Sequence, residues 1–96
     1  MKQYVLSPRA RMDLDEIWDY TAAKWNTEQA ERYTRQLRVA VELIAADPTR
    51  GQPCDELRPG YFKFATGSHI LFCRRSGKKI DVVRILHNRM DFQRHL

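Results

Sequence analysis

Two runs of helical spacing, separated by one short break, constrain this chain more than any other feature. Ala10, Leu14, Ile17, Trp18, Thr21 and Trp25 fall at i, i+4, i+7, i+8, i+11 and i+15, which is one face of a helix turning every 3.6 residues. Ala30, Tyr33, Leu37, Ala40, Val41 and Ile44 repeat the spacing up to Pro48, where the missing N–H and the ring stop a helix. Between them, Asn26 is expected to end the first helix in a left-handed turn. Thr27 is expected to cap the second, with Glu28 in its first turn. Helices joined by so short a break must fold back antiparallel. Each then carries an apolar face that needs a cover, and the remaining residues have to supply it.

They read as strands. Gln3 to Leu6 forms a short opening strand closed by Ser7, which can cap a helix, and Pro8, which fits a first helical turn. Residues 49–60, "TRGQPCDELRPG", hold turn formers and form a connecting loop, and "RPGY" has the Pro-Gly order of a type II turn. Tyr61 to Ala65, Ser68 to Arg74 and Lys79 to Leu86 follow as strands, separated by "TG" and "SGK" at hairpin length. The last, "IDVVRIL", is apolar on both faces apart from Asp81 and Arg84, as a central strand covered on two sides requires. The order β-α-α-β-β-β predicts an α+β fold, an antiparallel helical hairpin packed on a small antiparallel sheet. It leaves the opposite sheet face to Lys63, Arg74 and Arg84. At 96 residues, residues 1–96 make one domain.

Charge narrows the partners. The net charge is +5, and the excess lies in residues 49–96, where ten Lys and Arg face only Asp55, Glu56, Asp81 and Asp91. An acidic partner is implied, either nucleic acid or an acidic protein segment. Cys54 and Cys73 form no CxxC pair and have no histidine at zinc-ligand spacing, so neither metal nor cofactor is expected. The start "MKQYVLSPRA" lacks a signal-peptide core, and no apolar run approaches the roughly 18 to 20 residues that span a bilayer. The expected location is the cytoplasm, with no membrane partner.

Candidate working residues cluster in "VRILHNRMD", where a strand ends and His87, Asn88, Arg89, Met90 and Asp91 follow. Imidazole titrates near neutrality and guanidinium stabilises an oxyanion, so His87 with Arg89 suits acid/base work on a phosphodiester. The same residues also suit a structured strand end, with Asp91 pairing to Arg89 or capping a short final turn. His69 reads as a cross-strand packing residue, and Trp18 and Trp25 as core on the first helix. Arg58 either binds the neighbouring Asp55 and Glu56 or faces a partner. Lys63, Arg74, Arg75, Lys78, Lys79 and Arg84 make up the basic excess of the sheet half.

"LSPRARMDLDEIWDYTAAKW", "LRPGYFKFATGSHILFCR" and "IDVVRILHNRMD" together resemble the blocks of the RelE/ParE toxin superfamily, in order and over nearly the whole chain, and within it the ParE branch. The resemblance implies the toxin of a type II toxin-antitoxin module, neutralised by a ParD-type antitoxin. It implies poisoning of DNA gyrase by binding rather than by chemistry, with DNA contacted mainly through the antitoxin complex. The partner-binding residues are then Arg58, Lys63, Arg74, Arg84, His87, Arg89 and Met90. RelE-like relatives instead cut messenger RNA on the ribosome. That alternative would make Arg84, His87 and Arg89 catalytic, with His95 near them, although the tail "HNRMDFQRHL" has no tyrosine. An acidic, partly disordered antitoxin segment is expected in the groove between hairpin and sheet. The tail from His87 to Leu96 is expected to serve toxicity more than folding.

Overall fold

The computed structural model describes residues 3–96. Strand β1 (Tyr4–Leu6) leads into helices α1 (Pro8–Lys24) and α2 (Thr27–Ala46), and a 3-10 turn over Pro48–Arg50 follows. Then come β2 (Gln52–Pro53), β3 (Tyr61–Thr66), β4 (His69–Ser76), β5 (Lys79–His87) and a last helical turn, α3 (Phe92–His95). The expected α+β class and the β-α-α-β-β-β order hold, with one addition, β2, inside the stretch expected as a connecting loop, and the sheet is not wholly antiparallel as expected. The sheet is β1-β5-β4-β3-β2. It is mixed: β1 runs parallel to β5, and the other pairs are antiparallel. A first strand returning beside the last one leaves a long path over the helices between them, which permits the parallel direction.

Local chemistry sets the helix ends. Ser7 Oγ accepts from the Ala10 N–H at 3.0 Å, with Pro8 in the first turn. At the hairpin tip Asn26, rather than Thr27, is the N-cap of α2. Its Oδ1 accepts from Gln29 N at 2.7 Å, and its φ of −171° is extended, not left-handed. A short acceptor three residues ahead of Gln29 meets the cap geometry, so Thr27 becomes the first helical residue. Trp25 is also misplaced by the stripe. It follows the end of α1 with φ −118° and ψ −85° and is 68% exposed. The helical count does not extend to a residue outside the helix. Trp18 is half-buried, and its Nε1 donates to Glu31 at 3.1 Å.

The sheet is covered on both faces. Leu14 of α1 and Leu37, Val41 and Ile44 of α2 pack with Leu71, Cys73, Val82 and Ile85. Phe72, between Leu71 and Cys73, faces the other way. There it joins Cys54 and Leu86 under Leu57, Tyr61, Ile70, Phe92 and Leu96. The Phe72 and Phe92 rings meet at 4.9 Å. The second face carries Lys63, Arg74 and Arg84 by register, as expected, but it is closed by the 54–61 loop and the tail rather than left open. β5 is central, as its two-sided apolar pattern demands. The "RPGY" turn closes with Tyr61 N donating to Arg58 O at 3.1 Å and Gly60 at φ +82°, the type II geometry.

β1 pairs with β5 only as far as Val82. Beyond it, α1 takes over the open edge. Ser7 N donates to Val82 O at 3.0 Å, Ser7 Oγ donates to Val83 O at 2.7 Å, and Ile85 N donates to Asp13 at 2.9 Å. Phe72 faces Arg84 while Cys73 faces Val82, so Val83 is the extra residue of a bulge in β5.

Candidate functional site

The bulge lies beside Arg84, which is 8% exposed. Its Nε and Nη2 each donate to an oxygen of Asp13 at 2.8 Å, a bidentate pair, and Nη1 donates to the His95 carbonyl at 2.7 Å. Asp13 is itself buried and also holds the Ile85 N–H, so one carboxylate serves three donors. The hydrogen bonds that Arg84 donates to Asp13 hold the Arg84 pKa above its usual value. Arg84 thus ties α1, β5 and α3 together. Asp13 escapes a search for charged site residues because it looks like helix surface. Its spacing gives it away: three residues after buried Ala10 and next to Leu14, it lies within the apolar arc of α1.

A second cluster sits at the far end of β5. His69 and His87 are cross-strand partners with ring centroids 5.3 Å apart, nearly perpendicular. His69 Nδ1 lies 2.5 Å from Tyr33 Oη, which also accepts from Ser68 N at 3.1 Å. Burial, then the charge of His87, lowers the His69 pKa to about 4, against an upward pull from Asp13. Burial raises the Tyr33 hydroxyl. His87 Nδ1 accepts from the Arg89 N–H at 3.1 Å, which fixes the ring at the strand end. His69 is the cross-strand packing residue expected of it. Tyr33, expected only as core, is also its hydrogen-bond partner.

The remaining candidates are spread over the surface. Arg89 and Met90 are exposed at the turn after β5. Asp91 pairs with Arg94 at 3.7 Å and caps Gln93 N at 3.2 Å, so of its two expected roles it takes the cap. Arg58 turns away from Asp55 and Glu56 and donates to the Leu96 carbonyl at 2.7 Å. Arg74 pairs across strands with Asp81 at 3.2 Å, and Lys63 is half-buried on β3 opposite Phe72. His87, Arg89 and Met90 form one end of the molecule, while Arg58 and Arg84 hold the last two carbonyls of the tail. The seven do not converge on one cavity.

Two cavities are open to solvent. One, of about 540 Å³, lies between β1 and the helices and is lined by Val5, Arg11, Leu14, Asp15, Arg38 and Val41, among others. β1 is the sheet edge there, and Val5, Met12, Val39 and Leu43, on β1, α1 and α2, are large apolar side chains left exposed. The other, of about 400 Å³, lies where the start of α1 meets β5 and α3. Among the described residues no group of three or more His, Cys, Asp or Glu could hold a metal, and no helix is long and apolar enough to cross a membrane.

A helical hairpin on a five-stranded mixed sheet, with its charged groups spread over surfaces, is the architecture of a class of small proteins from toxin-antitoxin systems. A chain of the chromosomal ParDE system of Pseudomonas aeruginosa superposes with a TM-score of 0.78 at 21% identity, covering 91% of this chain and 96% of that one. A chain of the RelBE2 complex of Mycobacterium tuberculosis gives 0.62 at 17% identity, covering 91% and 98%. Sequence decides the family. The model described as the ParE toxin of the type II toxin-antitoxin system parDE matches residues 4–92. Toxin ParE1 of Mycobacterium tuberculosis is 53% identical over 95 residues, 98% of this chain and 97% of its own. Toxin ParE1 of Caulobacter vibrioides is 46% identical over 96 residues, 100% and 99%. The chain belongs to the ParE toxin family of type II toxin-antitoxin systems.

Proposed function

We propose that this toxin stops growth by binding DNA gyrase, without chemistry of its own, and that a ParD-type antitoxin silences it by occupying the groove beside β1. The observation that carries the antitoxin half is that groove. It runs along β1, the edge strand of the sheet, where a strand can be added, and is walled by Val5, Leu14 and Val41, while Met12, Val39 and Leu43 stand exposed on α1 and α2. Arg11 and Arg38 on its walls, against the single acid Asp15, suit an acidic segment. For the gyrase half, exposed Arg89 and Met90 beside His87 offer a basic and apolar end free of that groove.

The commitment of Arg84 to Asp13 weighs against the ribosome-dependent nuclease. A charge clamp on a reacting phosphate needs free donors, and Arg84 spends three on the fold. Supercoiling and cleavage assays with gyrase, run beside a translation reaction, separate the two readings. Inhibition of gyrase with translation intact is expected, and the reverse result makes the protein a nuclease. Mixing toxin with antitoxin should raise the melting temperature. The Arg11→Glu/Arg38→Glu variant should weaken the complex about tenfold or more without unfolding the chain.

A further inference from the structure

The second cavity differs in chemistry from the groove beside β1. About 400 Å³ in volume, it is lined by Ser7, Arg9, Tyr61, Arg84, Arg94 and His95 together with Val83 and Leu96, and no carboxylate side chain is among them. The acids that balance these cations stand outside it. Asp13 neutralises Arg84, and Asp91 makes a long, exposed contact with Arg94. The Leu96 carbonyl is taken by Arg58. Among the described residues, Arg9, the Tyr61 hydroxyl and the His95 ring have no side-chain hydrogen-bond partner. Two arginines, an imidazole and a phenol with their donors largely unspent therefore surround a space large enough for one nucleotide-sized group, while the Ser7 hydroxyl on its wall is given to the Val83 carbonyl.

We propose that this cavity binds a phosphate group. Guanidinium forks match phosphate oxygens in pairs, and a phosphate brings charge that the lining lacks. The site is held rigid from behind. Asp13 fixes Arg84, and Arg84 fixes the His95 carbonyl, so the wall carrying Arg94 and His95 is docked against the wall carrying Arg9. A bound phosphate bridges α1 and α3, which makes it a ligand of the folded state alone and a stabiliser of the tail. The inference does not rest on gyrase being the target.

The test uses the full chain freed of antitoxin, with three probes: inorganic phosphate, a 5′-mononucleotide and a short DNA duplex. Calorimetric affinity and melting temperature are read for each. The Arg9→Gln/Arg94→Gln variant removes two exposed cations and leaves Asp13 and Arg84 in place, so it folds. Expected is binding of at least one probe by the parent and a loss of about tenfold or more in the variant, the weight of one or two charged hydrogen bonds. Binding of the mononucleotide identifies a free ligand, and binding of the duplex alone identifies a backbone phosphate, whose affinity then falls steeply with salt. The proposal is overturned if no probe binds, or if the variant binds as tightly as the parent.

Discussion

His69 on β4 and His87 on β5 stand directly opposite one another, ring against ring at 82°. A proton on His69 meets the cost of burial and then the neighbouring His87, and His69 is bonded to Tyr33. Its pKa is about 4 in the folded chain against about 6.5 unfolded. Between those values the unfolded chain takes up a proton that the folded chain refuses, so stability falls as pH drops from 6.5 toward 4 and is fully present above 6.5. Urea midpoints measured across that window should show the slope, and His69→Gln should flatten it. A slope unchanged in the variant would place the titrating group elsewhere.

The buried Asp13–Arg84 pair should behave asymmetrically. Asp13→Leu strands a guanidinium and the Ile85 N–H and should cost about 3 to 5 kcal/mol. The double replacement Asp13→Leu/Arg84→Met should cost less than either single change, because no charge is then left alone. Chemical denaturation of the four proteins closes the cycle. Loss of toxicity in an Arg84 variant must accordingly be read beside its solubility.

Gly67 turns from β3 to β4 at φ +57°, and a Cβ there would lie 2.9 Å from Tyr33 Oη. Gly67→Ala meets both backbone strain and that hydroxyl. A loss of about 1 to 3 kcal/mol in thermal unfolding is expected. Gly77, at φ +61° with open space around it, should lose only the smaller conformational share.

The tail is part of the fold. Phe92 and Leu96 cover Phe72, Leu86 and Cys54, and the tail's last carbonyls hold Arg84 and Arg58. Phe92→Ala, at a half-buried site, should cost about 2 kcal/mol. Truncation after Asn88 should give a protein that aggregates or melts early, visible by light scattering. A soluble truncated chain with an unchanged melting temperature would refute this and return the tail to a purely functional role.

Elements that depend on neighbours in sequence were legible. Helix spacing, the Ser7 cap, the glycine turns and the two-sided β5 all come from residues within one or two turns of each other. What escaped depends on distant partners. Asp13 sits within the apolar arc of α1, but the counter-charge that explains it, Arg84, comes 71 residues later. Arg84 reads as an exposed clamp for the same reason. The tail reads as serving toxicity rather than folding because the face that Phe92 and Leu96 cover is assembled from β4, β5 and the 54–61 loop. The parallel direction of β1 left no local mark. Sequence set His87, Arg89 and Met90 side by side at a strand end, but it missed the Tyr33–His69 bond and the cavity between Arg9 and Arg94, each built from residues far apart in the chain.

Strand β1 is synthesised long before β5, the strand it pairs with. Ser7 and its bonding partner Val83 are 76 residues apart, an interval of roughly 4 to 15 seconds at ordinary rates of synthesis. Until β5 has emerged, α1 and α2 have no sheet to cover, Asp13 has no counter-ion and the edge groove does not exist. A chain halted before β5 therefore lacks both the assembled sheet and the groove beside β1, and the folded form appears only once β5 can join β1 and the helices.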